Sequence, residues 1–386
     1  MKLRIGLVVV SCILSVLTGL VLARGGSRAT GDPSANETVR IGFSLDTLKE
    51  ARWQMDRDLF VARARRLGAR VLVQSANSDD ATQISDVEKL LTAGVDVLVI
   101  VPHDGTAMAK GVRMANEAGV PVIAYDRIVR DVDLDLYVSF DNVRVGELQA
   151  RYVVDALGGR GRIVRILGSR TDHNAFRYKE GQDRVLGPYI ERGAIEVVHE
   201  DWADDWKPET AKKIVNAAIT AHGAGGFDAV LASNDGTAGG AIQALAEEGL
   251  AGKKIVTGQD AELVACQRVV RGTQSMTIYK PLATLAETAA DAAVKLVRGG
   301  VVVADRRVDN GHQEVPAVLT DVVTVTSENL LDAVVASGFH PYDAVYRGIP
   351  EADRPPRPRA GPRSSEARAR GASQGAPSDA TRVAGE

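Results

Sequence analysis

The chain contains few of the residues that cross-link proteins or bind metals. It has two cysteines, and Cys12 lies in an apolar N-terminal segment, so a structural disulfide with Cys266 is not expected. The six histidines are scattered, and no cysteine or histidine recurs at the spacing of a metal site. The sequence therefore predicts neither a disulfide framework nor a metal centre.

An excess of one charge is also absent. The 386 residues include 47 lysines and arginines against 50 aspartates and glutamates, which gives a formal net charge of -3. Without a basic excess, the composition gives no reason to expect a nucleic acid partner. Aromatic residues make up only 4%, so the three tryptophans, Trp53, Trp202 and Trp206, are the ones to locate.

Familiar catalytic and cofactor-binding motifs are missing as well. The chain has no G-x-S-x-G, no H-E-x-x-H and no Walker loop. The glycine-rich run 236–240 follows a predicted strand and opens a predicted helix, but it is not G-x-G-x-x-G, and we interpret it as allowing close helix packing. The sequence predicts a protein that is not an enzyme and that needs no cofactor.

An apolar run, residues 5–23, follows Lys2 and Arg4 at the N-terminus. This pattern predicts a secretory signal or a single membrane anchor over residues 1–24, and hence a periplasmic or other extracytoplasmic location. No A-x-A cleavage site follows, so both alternatives stay open. Residues 25–38 are polar and rich in small residues, which predicts a linker.

From residue 39 onward, short apolar strands alternate with helices. The run 95–101, for example, is almost continuously apolar, as expected of a parallel strand that is covered on both faces. Two such series of comparable length predict an α/β fold with two doubly wound parallel-sheet lobes. The pattern then loosens to a strand within 315–326 and a last helix at 327–335. Residues 350–386 have almost no large apolar side chains and are predicted to be disordered.

Polar side chains follow the predicted strands. They include Arg52 and Trp53 near the first strand, Asp126-Arg127, Asn234-Asp235, Gln259-Asp260 and Lys280. Because the carboxyl ends of parallel strands meet at one edge, these groups are expected to converge there. Carboxylates, amides and cations together can pair the hydroxyls of a sugar, and an indole offers a flat apolar face.

Each of these residues also has a simpler interpretation. Arg52 and Trp53 fit an ordinary helix surface, and Asp126-Arg127 fits a surface ion pair. Asp235 fits a helix cap better than a ligand contact, whereas Asn234 is harder to explain in that way. His173 fits a loop position better than a ligand contact.

A series of short runs resembles the family of bacterial periplasmic D-xylose-binding proteins, which are type I periplasmic binding proteins and solute receptors of ABC-type sugar importers. The likeness extends from about residue 39 to 339. The runs are ARWQMDRD (51–58), VQSAN (73–77), GVDVLVIVP (94–102), AYDR (124–127), SFDN (139–142), GELQA (146–150), ASNDGTAGGAIQAL (232–245), GQDAE (258–262) and YKP (279–281).

The resemblance implies an N-lobe (39–140 plus 281–314) and a C-lobe (141–280 plus 315–340). Three hinge crossings would join them, near Phe140-Asp141, near Lys280-Pro281 and within 304–326. Trp53 and Trp206 would stack on the two faces of the sugar. The residues implied to bind its hydroxyls are Arg52, Asp126, Arg127, Asp141, Asn174, Asn234, Asp260 and Lys280.

The function that the resemblance implies is capture of an aldopentose, D-xylose first, by a monomeric exported receptor that closes and docks on a membrane permease. The alternative is a membrane-anchored sensor that presents a bound pentose or hexose to a signalling partner. A sugar-responsive repressor would need a helix-turn-helix where the apolar segment lies. A nucleotide-dependent dehydrogenase would need the absent glycine fingerprint.

Overall fold

The computed structural model describes residues 38–358. The predicted signal or anchor, nearly all of the predicted linker, and residues 359–386 of the predicted tail lie outside the described residues. Within 38–358, no helix is both long enough and apolar enough to cross a membrane.

The first part of the described chain alternates strand and helix without exception up to its fourth strand. Its elements are β1 (Arg40–Leu45), α1 (Ala51–Arg66), β2 (Arg70–Ser75), α2 (Asp80–Thr92), β3 (Val97–Val101), α3 (Ala109–Glu117), β4 (Val122–Tyr125) and β5 (Leu136–Phe140). All five residues of β3 are buried, as its apolar composition predicts.

The middle of the chain repeats the same alternation. Its elements are α4 (Asn142–Ala156), β6 (Gly161–Leu167), α5 (His173–Glu191), β7 (Ile195–Trp202), α6 (Pro208–His222), β8 (Ala229–Ala232), α7 (Asp235–Glu247), β9 (Ile255–Val256), α8 (Leu263–Val270) and β10 (Thr277–Tyr279). A short 3₁₀ turn, Asp204–Trp206, joins β7 to α6.

The last part returns to the first. Its elements are α9 (Leu282–Val297), β11 (Arg306–Asp309), β12 (Glu314–Thr320), β13 (Val323–Val325), a π-helical segment (Leu331–Ala336), α10 (Tyr342–Val345) and a 3₁₀ turn (Glu351–Asp353). Helix α9 packs against α1 and reaches strands of the first part, so the chain comes back to cover the sheet where it began.

Two parallel sheets organise these elements. The larger sheet has seven strands in the order β11-β12-β5-β4-β3-β1-β2, and only β11 runs antiparallel to its neighbour. The smaller has four parallel strands in the order β7-β6-β8-β9, and β10 pairs with β13 in a separate antiparallel ribbon. The predicted α/β class with two parallel sheets is confirmed.

Strand pairing differs from the expected lobe boundaries at one point. Strand β12 pairs in parallel with β5, and Leu319 lies opposite Ser139. Residues 317–320, which were expected in the C-lobe, therefore pair within the larger sheet. The edge strand β11, with the sequence RRVD, was not predicted because it lacks an apolar run.

The C-terminal region also differs from the prediction. The expected helix at 327–335 is a short π-helical segment, followed by α10. Residues 350–358 were predicted to be disordered, but Tyr342 Oη donates to the Pro355 carbonyl at 2.6 Å and Arg357 forms an ion pair with Asp343. Composition missed these contacts because they involve backbone and charged groups rather than buried apolar surface.

Candidate ligand-binding site

A cavity of about 540 Å³ lies where the carboxyl ends of the two parallel sheets meet. Six of its lining residues come shortly after six different strands, β1, β2, β3, β4, β6 and β8. They are Asp46, Ser78, His103, Asp126, Ser169 and Asn234. The cavity therefore occupies the position at which open α/β sheets bind ligands, as the pattern of polar residues after strands predicts.

Seven of the ten candidate residues line this one cavity: Arg52, Trp53, Asp126, Arg127, Trp206, Asn234 and Asp260. Trp53 and Trp206 thus share a cavity although 153 residues of sequence separate them. Arg52, Trp53, Asp126 and Arg127 are not surface groups, since Trp53, Asp126 and Arg127 are buried and Arg52 is largely enclosed.

Two candidates, Lys280 and Asn174, lie behind the cavity wall instead of in it. The Lys280 ammonium is fully buried, 3.2 Å from Asp260 Oδ1 and 3.3 Å from the Tyr178 hydroxyl. Asn174 Nδ2 donates to the Asp126 carbonyl at 3.0 Å. Both residues therefore support a cavity-lining aspartate, because a buried ammonium or amide needs a polar partner.

The third candidate outside the cavity, Asp141, has a local structural role. Its carboxylate caps helix α4 by accepting a hydrogen bond from the Arg144 N–H at 3.0 Å. It lines a separate groove of about 410 Å³ with Arg306. A ligand in the main cavity would not meet this side chain, which differs from the expectation. His173 also lies outside the main cavity, at the start of α5 beside Arg130.

One arginine of the larger sheet's wall is held by three carboxylates. Arg52 pairs with Asp126, lies 3.2 Å from Asp260 Oδ1 and lies 3.4 Å from Asp56 Oδ2. Burial lowers the pKa of Arg52, but the three aspartates outweigh it and raise that pKa well above its usual value. Since Asp260 follows β9, this arginine links the walls formed by the two sheets.

The second arginine, Arg127, is held in the same way. Its Nη1 lies 2.9 Å from Asp46 Oδ2, and its Nε lies 2.9 Å from Asp172 Oδ2 in an ion pair whose angle is too poor for a hydrogen bond. The Arg127 and Arg52 guanidiniums lie 5.2 Å and 4.3 Å from the centre of the Trp53 ring. Cation–π contacts of this kind fix the indole as well as the charges.

The pKa values of three buried aspartates near these arginines shift in different directions. Burial alone would raise the pKa of Asp126, but Arg52, Lys280 and Arg127 lower it below its usual value, so Asp126 is ionised. Burial raises the pKa of Asp172, and Arg127 offsets only part of that effect. Burial also raises the pKa of Asp56 to about 6, against the opposing charge of Arg52. Of these three carboxylates, Asp126, which lines the cavity, is therefore the one whose ionised form its surroundings favour.

Helix α7 positions the side-chain amide of Asn234 on the smaller sheet's wall of the cavity. Asn234, not Asp235, is its cap: Asn234 Oδ1 accepts from the Thr237 N–H at 2.8 Å, and Thr237 Oγ1 accepts in turn from the Asn234 N–H. The expected cap, Asp235, is instead buried against Gln274 and Thr277. Asn234 lines the cavity, and while its oxygen is used by the cap, its amide N–H groups make no hydrogen bond within the described residues.

A glycine determines where Trp206 lies. Gly168 directly follows β6, and a Cβ added there would lie 2.0 Å from Cη2 of the Trp206 ring. The indole therefore rests directly on the backbone, with Nε1 donating to Asp172 Oδ2 at 3.3 Å. Glycine also explains the 236–240 run: a Cβ on Gly240 would lie 2.0 Å from the Pro208 carbonyl, so the predicted close packing of this helix is confirmed.

Backbone strain is concentrated around the cavity. Within residues 38–358, eight non-glycine residues have positive φ, and five of them line the cavity: Ser78, Asp126, Asp205, Trp206 and Asp260. Each such conformation costs on the order of 1–3 kcal/mol and persists only where the surrounding structure enforces it. The strain therefore points to a functional requirement on these side-chain positions.

Two cavity-lining acceptors are buried without a hydrogen bond within the described residues: Asp46 Oδ1, which sequence reasoning missed, and Gln259 Oε1, which it placed after a strand but did not select as a binding residue. Asp46 comes directly after β1 and Gln259 three residues after the end of β9, so the signal that identified Asp126 and Asp260 applied to them too. A ligand with several hydroxyl groups would supply the donors that they require. No group of three or more histidine, cysteine, aspartate or glutamate residues in 38–358 could hold a metal ion.

Comparison with known proteins agrees with this geometry. The family model described as "Periplasmic binding protein domain" matches residues 41–300. The D-xylose-binding periplasmic protein of Escherichia coli is 45% identical over 328 residues, covering 85% of this chain and 97% of the relative. The D-xylose-binding periplasmic protein of Haemophilus influenzae is 43% identical over 333 residues, covering 86% and 100%.

A solved structure shares the architecture as well. The carbohydrate transporter solute-binding protein of Chloroflexus aurantiacus, in complex with D-glucose, superposes with a TM-score of 0.75 at 35% identity, covering 80% of this chain and 98% of that one. With the two sheets, the cavity between them and these relatives in agreement, the chain belongs to the family of periplasmic binding proteins, of type I fold.

Proposed function

We propose that this chain captures an aldopentose, D-xylose first, in the cavity between its two sheets and delivers it to the permease of an ABC-type importer. The family is one of binding proteins and not of enzymes, in agreement with the absence of catalytic motifs. Two D-xylose-binding relatives above 40% identity support the choice of sugar. The periplasm is the location of these relatives and the proposed location of this chain, reached through the apolar segment 5–23.

The observation that carries the proposal is the set of polar groups in the cavity wall. Two arginines held by carboxylates offer donors, while Asp126, Asp46 and Gln259 offer acceptors. Every sugar hydroxyl both donates and accepts, and a buried group left unpaired costs on the order of 1–3 kcal/mol. A wall with both kinds of group in fixed positions suits a polyhydroxylated ring, with Trp53 and Trp206 against its flat faces.

Closure would bring the two walls together. The proposed lobes are those of the sequence prediction, except that the third crossing, expected within 304–326, is placed after Thr320 at the end of β12. Arg127 with Asp172, and Arg52 with Asp260, are ion pairs between residues that belong to different lobes in this division. A ligand that contacts both lobes only when they approach would shift the population toward the closed form.

Calorimetric titration of the purified protein with D-xylose, D-ribose, L-arabinose, D-glucose and D-galactose tests the proposal. We expect D-xylose to bind most tightly. Since the Chloroflexus aurantiacus structure holds D-glucose, tighter binding of a hexose is the outcome that would contradict the choice of a pentose. Loss of D-xylose uptake on deletion of the gene would separate transport from the sensing alternative.

A further inference from the structure

The cavity is larger than a pentose requires. Its volume is about 540 Å³. A pentose has about ten non-hydrogen atoms and, even at the roughly 30 Å³ that each water molecule takes up in the liquid, needs roughly 300 Å³. A second group of nearly the same size as the sugar therefore has room in the same cavity.

The lining of the cavity is not uniform. The arginines, aspartates and amides described above form its polar part. A second part, which we call the apolar annex, is formed by Ala51, Leu263, Val264, Leu282 and Phe339. The annex adjoins the polar part directly, because Leu263 and Val264 come only three and four residues after Asp260.

The annex presents mainly apolar side chains, although Glu50 and Glu262, which flank Ala51 and Leu263 in sequence, also line the cavity. Leu263 and Phe339 pack against the same hydrophobic cluster, and Phe339 contacts the Tyr279 ring at 4.9 Å between centres. The neighbouring His340 Nε2 lies 2.8 Å from the Ala261 carbonyl, so this polar atom is already paired. Val264 is 55% exposed, so it leaves apolar surface in the cavity wall. Sugar hydroxyls could form no hydrogen bond with this surface.

We infer that the annex is a subsite for an apolar aglycone, so that the protein binds pentosides carrying an aromatic or alkyl group as well as the free pentose. This inference rests on the proposed function, since the sugar of the glycoside would occupy the polar part. An apolar group in the annex would lose its contact with water and cover the side chains of Leu263, Val264 and Phe339.

Titration of the purified protein with D-xylose, methyl β-D-xyloside, phenyl β-D-xyloside and xylobiose tests the inference. We expect phenyl β-D-xyloside to bind at least as tightly as D-xylose and more tightly than the methyl glycoside. Val264→Asp should lower the ratio of phenyl xyloside affinity to D-xylose affinity about tenfold, because it places a charge in the annex. Val301→Asp is the matched control, since Val301 is 80% exposed and outside the cavity, and it should leave the ratio unchanged.

Other outcomes separate this inference from the proposed function. If D-xylose binds but phenyl β-D-xyloside binds a hundredfold more weakly, the annex is not a subsite and the proposed function stands. If xylobiose binds more tightly than the phenyl glycoside, the annex is a sugar subsite and the apolar inference is overturned. If no pentose or pentoside binds, the proposed function itself fails. Thermal unfolding measures whether Val264→Asp and Val301→Asp are folded. Val264→Ser provides a milder second test of the same affinity ratio.

Discussion

The two walls of the cavity hold their polar groups by different means. On the larger sheet's side, Arg52 and Arg127 are fixed by ion pairs with buried carboxylates. On the smaller sheet's side, Asn234 is fixed by a helix cap and Trp206 by close contact with a glycine. The first wall depends on charge neutralisation away from water, and the second on backbone geometry. Substitutions in the first wall should therefore change both the ligand affinity and the free energy of unfolding. Substitutions in the second wall should change mainly the ligand affinity.

Removing charge from the first wall should have the largest effect. Arg127→Met leaves Asp46 and Asp172 buried without their partner, and losing one member of a buried pair costs about 3–5 kcal/mol. We expect D-xylose affinity to fall at least a hundredfold and the free energy of unfolding to fall together with it. Calorimetry and urea denaturation measure the two effects.

Arg113→Met is the control for that substitution. Arg113 is exposed on α3 and lies outside the cavity, so both quantities should stay near those of the unchanged protein. If Arg127→Met retained full affinity, the first wall would not contact the sugar.

Disturbing the second wall should have a smaller effect, confined to the ligand. Gly168→Ala places a methyl group where the Trp206 ring now lies, so the indole must move away from Asp172. We expect about a tenfold loss of D-xylose affinity and a shift in tryptophan fluorescence, since one stacking face is displaced.

Gly187→Ala provides the matched control, because no atom lies within 4 Å of a Cβ added at Gly187 within helix α5. This variant should bind D-xylose normally and unfold at a slightly higher temperature, since alanine favours a helix more than glycine does. Equal affinity of both variants would argue against a role for Trp206 in binding.

The smallest expected effect is a pH dependence of stability at the entrance to α8. Burial, with the nearby charge of Asp260, raises the pKa of Glu262 to about 7. The folded state then holds its proton more tightly than the unfolded state, so the stability from Glu262 is complete below its unfolded pKa near 4.5 and is lost as pH rises through about 7.

We expect Glu262→Gln to raise stability at pH 8 relative to pH 5 by about 1 kcal/mol compared with the unchanged protein, allowing for partial exposure of the side chain. Glu88→Gln, on the exposed face of α2, serves as the control. Chemical denaturation at the two pH values measures the difference. If the free energy of unfolding of Glu262→Gln depended on pH in the same way as that of the unchanged protein, a raised pKa at Glu262 would be contradicted.

The residues after the strands show how far the sequence could predict the site. Asp126, Asn234 and Asp260 were found because a parallel sheet brings every carboxyl end to one edge. Asp46 and Gln259 obey the same rule, but nothing in the sequence marks one polar residue after a strand as buried and unpartnered. Burial depends on which helices cover that edge, and this is a property of the assembled fold.

Lys280 and Asn174 show the opposite limit. Both were associated correctly with this part of the molecule, yet each contacts an aspartate from behind the wall. Sequence position places a residue near the cavity, whereas a displacement of a few ångströms decides between lining it and supporting it. The contacts of the ten residues with a sugar stay predictions.

The sequence by itself determined the alternation of strands and helices, the parallel sheets and the edge at which a ligand would bind. These follow from hydrophobic periodicity and from the chirality of strand–helix–strand units, which act over tens of residues. Only the tertiary structure decided which charges pair across the cavity, that β12 completes the larger sheet, and that Trp206 rests on Gly168. Those features depend on contacts between residues far apart in sequence, whose free energies are set by burial and distance and leave no local pattern.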